Sequence, residues 1–135
     1  MKQSLRDLLG GPDRRSIGRV PKVVGTLRRH PRRTAEVVWH LAQLIPRLPL
    51  SRTQRRRAVA VFEGYLRDVS AIVRTCAMQA LAEFASADAA LRSRVLRRLR
   101  RLTATGTPAM RARGRRLLSR LIAETPGGRF LPSRR

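Results

Sequence analysis

Asparagine is absent from this chain, lysine occurs twice, and only eight acidic residues stand among 135. Cys76 is the single cysteine, so no internal disulfide is available. It falls on the apolar side of a helical pattern, where a small buried hydrophobe is expected rather than a reactive thiol. His30 and His40 are the only imidazoles, and no HExxH or CxxC spacing exists; this excludes the usual metal sites. There is no GxSxG elbow and no GxGxxG phosphate loop. With those constellations missing, the expectation is a non-catalytic protein without a cofactor. No apolar run approaches the roughly 18 residues of a membrane-spanning helix. The start, MKQSLRDLLGGPDRR, lacks the apolar stretch and cleavage site of a signal peptide, so a cytoplasmic protein is expected. Aromatics make up 4%, too few to foresee a platform for stacking bases. Two-residue alternation is missing too, which removes the strand signal.

What is abundant is arginine. It outnumbers lysine 29 to 2, and the formal net charge is +23. The bias toward Arg is what a GC-rich coding sequence produces. That explains the choice of Arg over Lys but not the scarcity of acids. The charge is also uneven. Residues 34–91 hold seven cations against five acids, whereas 92–135 hold fourteen against one. The asymmetry points to an anionic partner at the C-terminal end of the molecule.

Apolar residues amount to 42%, enough for a core built of Leu, Val, Ala and Ile. Their spacing is helical. A short helix is possible over 3–9, broken by GGP. Ile17, Val20, Val23, Val24 and Leu27 place a helix over about 20–29, with Pro21 in its first turn. Thr34 is read as the cap of the next, which carries Val37, Leu41, Leu44 and Ile45 and halts near Pro46. Ser51 or Thr53 caps a third long helix burying Val59, Phe62 and Leu66. A tight turn at Asp68–Ser70 leads to a fourth over 71–85, with Ile72, Val73, Ala77, Ala80, Leu81 and Phe84 inward. Asp88 caps a fifth that buries Leu91, Val95, Leu99 and Leu102, and Gly106 ends it. Thr107 caps a sixth, with Pro108 at its first position, ending near Glu124.

An internal echo organises these helices. TAEVVWHLAQLI (34–45), SAIVRTCAMQAL (70–81) and TPAMRARGRRLL (107–118) align without a gap at offsets of 36 and 37. Val37, Val73 and Met110 share a column, as do Leu41, Ala77 and Gly114, and Ile45, Leu81 and Leu118. Val59, Phe62 and Tyr65 likewise match Leu96, Leu99 and Leu102. A period of this size implies stacked helical pairs sharing one core. The fold expected is all-α, a short α-solenoid of about three helical pairs (about 17–47, 51–86 and 88–124) in one domain over 1–125. Residues 126–135 form a basic tail.

Ser70, Val73, Arg74, Ala77, Ala80 and Leu81, and then Thr107, Met110, Arg111, Gly114, Leu117 and Leu118, resemble the second helix of a HEAT or HEAT-like repeat. In the first unit Val38 stands where that pattern has Arg. Most of the chain, through LLGGPDRRSIGRV, WHLAQLIPRLPL, SAIVRTCAMQALA and TGTPAMRARGRRLL, is similar to small bacterial HEAT-repeat proteins. The resemblance implies an α-solenoid and no particular activity. It also implies that the Arg of the pattern, here Arg74 and Arg111, braces neighbouring turns by hydrogen bonds.

The remaining arginines supply the candidate site. Arg94, Arg97, Arg98 and Arg101 recur at i, i+3, i+4 and i+7 opposite the Leu side of the fifth helix. On the sixth, Arg113, Arg116 and Arg120 form one stripe and Arg111 with Arg115 another. Guanidinium groups fork onto phosphate oxygens, and like charges at these spacings repel unless anions offset them. The stripes point to a polyanion, most simply nucleic-acid backbone bound without sequence specificity; a solvated face is the plain alternative. An adaptor docking an acidic protein on the same surface is a second reading. A HEAT-like DNA-repair glycosylase using Trp39, Glu36 and Asp68 is a distant third, with Trp39 more simply a packing residue.

Overall fold

Helix-forming Leu, Ala and Arg dominate the chain, and small polar residues punctuate it. The structure, a computed structural model, describes residues 14–26 and 28–125. Among these are six α-helices, one 3-10 turn and no strand: α1 (Arg14–Thr26), α2 (Pro31–Leu44), η1 (Ile45–Arg47), α3 (Arg52–Tyr65), α4 (Ala71–Ala87), α5 (Ala89–Thr105) and α6 (Pro108–Glu124). The all-α expectation is met. The helix expected over 3–9, the tail 126–135, and the side chains of Ile17, Val23 and Leu27 lie outside the described residues. No described helix is long and apolar enough to cross a membrane.

Most helix starts follow the side chains that satisfy orphan N–H groups. Ser51 closes a full capping box with Gln54 at the head of α3. Ser70 Oγ accepts from the Val73 amide at 3.3 Å, Asp88 from Ala90 at 3.1 Å, and Thr107 from Met110 at 3.3 Å. Two starts differ from expectation. α1 begins at Arg14, so Pro21 lies inside it rather than in its first turn, and the helix stops at Thr26 rather than 29. Proline has no N–H, which leaves the Ile17 carbonyl without its helical donor. α2 begins at Pro31, because proline suits a first helical turn, and His30 is its N-cap. Thr34 is therefore not a cap. It is buried, and its hydroxyl donates to the His30 carbonyl at 3.1 Å.

That start goes with a different phase for α2. Thr34, Val38, Leu41, Ala42 and Ile45 are buried, while Val37 is half-buried and Leu44 exposed. Position 38 is Arg in the other two copies of the echo and Val here, so this helix buries the valine instead. Ile72, read as inward, is 61% exposed, because the buried side of α4 begins at Val73.

The chain divides into two compact units, residues 1–80 and 81–135, with the boundary inside α4. In the first, α1 packs on α2 and α3, and Val20, Val24, Val38, Leu41, Phe62 and Val73 are among its buried residues. In the second, α6 packs on α5 across the turn at Gly106-Thr107, and Leu91, Val95, Leu99, Met110, Leu117 and Leu121 are buried. Cys76 is buried, as expected. Leu102 and Leu118 are half-buried rather than fully inward.

Candidate nucleic-acid interface

The arginine-rich helices belong to the second unit. α5 carries six arginines and no acid. With Leu91, Val95 and Leu99 buried, a helical period of 3.6 turns Arg94, Arg97 and Arg101 to the opposite side, and all three are exposed. Arg98 is half-buried at the edge of this stripe. Arg94 and Arg98 each also interact within the chain. Arg100 is exposed as well. It was not part of the expected stripe, although its i+3 spacing from Arg97 was visible in the sequence.

On α6 the two expected stripes behave differently. Met110, Gly114, Leu117 and Leu121 form the buried side. Arg111, Arg115 and Arg116 are exposed away from it. Arg113 and Arg120 flank it. Arg113 interacts within the chain, and the half-buried Arg120 pairs with Glu83 of α4 at 3.2 Å and with Glu124 at 3.7 Å. The structure thus brings Arg111, Arg115 and Arg116 outward and engages Arg120 internally.

The acids of residues 81–135 are Glu83, Asp88 and Glu124. Glu83 holds Arg120, Asp88 caps α5, and Glu124 accepts from Ser86 Oγ at 2.7 Å as well as pairing with Arg120. Each carboxylate is occupied away from Arg97, Arg100, Arg101, Arg111, Arg115 and Arg116. These six exposed guanidinium groups have no partner among the described residues. Arg92 differs from them: its Nε and Nη2 donate to the Ala85 and Ser86 carbonyls at 3.2 and 3.1 Å, closing the end of α4.

The other candidates lie in the first unit. Arg74 Nη1 donates to the carbonyls of Asp68 (2.6 Å) and Val69 (3.3 Å), bracing the turn between α3 and α4. Asp68 is held at both oxygens, by Arg28 on Oδ1 and by the Ser70 amide on Oδ2 at 2.9 Å. Burial works to raise the Asp68 carboxyl. The Arg28 hydrogen bond, the Ser70 amide and the charges of Arg28 and Arg74 outweigh it, and its pKa lies below the ordinary value. Burial likewise pushes the Tyr65 phenol up to about 12, and its hydroxyl has no hydrogen-bond partner among the described residues. Glu36 is exposed on α2, and Trp39, read as a packing residue, is 48% exposed. The phase of α2 that buries Val38 is what turns the indole out.

No group of three metal-ligating side chains occurs among the described residues. No protein-family model, curated protein or solved structure matches the chain.

Proposed function

We propose that the protein is a non-catalytic binding module, a short HEAT-like α-solenoid, that engages nucleic-acid backbone through the outward arginines of α5 and α6 without reading sequence. The observation that carries this reading is the occupancy of every carboxylate in residues 81–135, which leaves Arg97, Arg100, Arg101, Arg111, Arg115 and Arg116 uncompensated. Like-charged neighbours on a helix each cost a few tenths of a kcal/mol. Phosphates offset that cost, and the forked guanidinium suits them.

The repeat architecture is supported by the shared surroundings of α4 and α6. Val73 and Met110, Ala77 and Gly114, and Ala80 and Leu117 are buried at matching positions. Arg74 braces a turn as the repeat pattern implies, whereas Arg111 is exposed.

An acidic protein is the second reading. It would dock on the same outward arginines of α5 and α6, pairing them with carboxylates in place of phosphates. Binding of purified protein to random duplex and single strand at about 50 mM salt tests the proposal. Binding to both is expected, and replacing Arg97, Arg100 and Arg101 by Gln is expected to weaken it while leaving the thermal melt unlowered, since fewer like charges then face one another along α5. Absence of binding at that salt rejects the reading and favours the acidic protein.

A further inference from the structure

Trp39 is the only tryptophan, and large aromatic side chains are seldom left half in water. Its surroundings on α2 are basic. Arg32 and Arg33 are exposed about 10 Å toward the helix start, and Arg47 is exposed about as far toward the end, in η1. Arg32 lies seven residues before Trp39, on the same line of the helix. Gln43, exposed one turn after Trp39, adds an amide, and Glu36, one turn before, is the single carboxylate of this face. The His40 ring meets the indole edge-to-face, with centroids 4.8 Å apart and planes at 75°. An edge-to-face contact covers at most one face of one ring, and at 48% exposure the indole keeps open surface.

We infer that α2 carries a stacking site for an unpaired nucleobase, with Trp39 as the platform and Arg32, Arg33 and Arg47 as contacts to neighbouring phosphates. The inference rests on the nucleic-acid reading above and deepens it to single-stranded ligands. A base in a duplex is already stacked on both sides and offers its edges, whereas an unpaired base offers a face. A tryptophan face accepts any base, so the site adds affinity for single strands without sequence preference. Glu36 keeps phosphates away from the middle of this face, which leaves the base rather than the backbone over the indole.

The test uses the full chain and its one tryptophan as reporter. The protein is titrated at about 50 mM salt and fixed pH with a labelled deoxythymidine homopolymer of about 15 nucleotides, and separately with a duplex of equal length. Label anisotropy reports binding of either kind, and Trp39 emission reports stacking. The expected result is emission quenched in parallel with anisotropy for the single strand, with anisotropy alone changing for the duplex. Trp39→Leu is expected to weaken single-strand binding about 5- to 150-fold and duplex binding less than about twofold, while Trp39→Phe retains most of the affinity. Because the indole is half exposed, both variants are expected to melt like the parent. Single-strand binding with unchanged emission, equal quenching by duplex, or unchanged affinity of Trp39→Leu overturns the stacking site and leaves the α5–α6 reading standing. No anisotropy change with either ligand overturns both.

Discussion

Asp68 shows how much one side chain carries where two helices meet. It ties the α1–α2 turn to the α3–α4 turn through Arg28 and fixes the latter through Ser70. Its folded pKa is depressed, so its contribution to stability is present above about pH 4 and is lost as pH falls through the folded value. Asp68→Asn is expected to lower stability at pH 7 by about 1–3 kcal/mol, the scale of a charged hydrogen bond, and to flatten the acid limb of a pH–stability curve. Urea melts between pH 7 and pH 3 check this; an unaltered acid limb means other carboxylates dominate. Gly106 ends α5, as its place after the last apolar residue of the helix suggests. Its φ is −83°, which any residue adopts, and the need for glycine is one of space. A Cβ there would stand 2.6 Å from the Leu102 carbonyl oxygen and 2.9 Å from Met110 Cβ. Gly106→Ala is therefore expected to cost about 1–3 kcal/mol by overpacking, measured by the same melts. Tyr65→Phe removes a buried hydroxyl that has no partner among the described residues, so it is expected to be neutral or stabilising by up to about 1 kcal/mol. A marked loss of stability would reveal a bridging water.

At the scale of the element, the helices were legible because their punctuation is local. Ser51, Asp88, Thr107 and Pro108 act within three residues of themselves, and the structure places them as the sequence suggested. The start of α2 was not legible. Thr34 looks like a cap, and only the packing of Val38 and Leu41 shows that the helix already runs through it. The outcome for Trp39 follows from the same phase. Among the arginines, spacing revealed which share a helix face but not which meet a carboxylate from another helix. Arg120 and Glu83 are 37 residues apart, and nothing local couples them. Arg92 was hidden for a related reason, since its carbonyl partners belong to the end of α4, whose placement beside it is set by packing, whereas Arg74 braces its turn as the repeat resemblance implied. These helices yield a contrast. Arg92→Gln leaves the last carbonyls of α4 unpaired and is expected to destabilise by about 1 kcal/mol with little effect on polyanion binding. The Arg97, Arg100 and Arg101 triple change is expected to do the reverse. Melting and filter binding on both variants check it, and a variant that shifts both properties together would mean the two roles are not separate.

For the whole molecule, composition carried the excess of charge, and periodicity carried the all-helical character of the described residues. What composition could not give was the state of the acids. Three carboxylates among residues 81–135 are enough to neutralise part of an arginine surface, or none of it, depending on where they point. All three are engaged elsewhere, which is why six guanidinium groups stand outward without a partner among the described residues. The most direct measurement is the salt dependence of duplex binding. If those six contact phosphates, log K plotted against log salt falls with a slope of about −5, and affinity drops about a thousandfold between about 50 and 200 mM. The Arg97, Arg100 and Arg101 triple change makes the slope shallower by about three. A slope near zero, or one that the triple change leaves untouched, contradicts a phosphate-binding surface on α5 and α6.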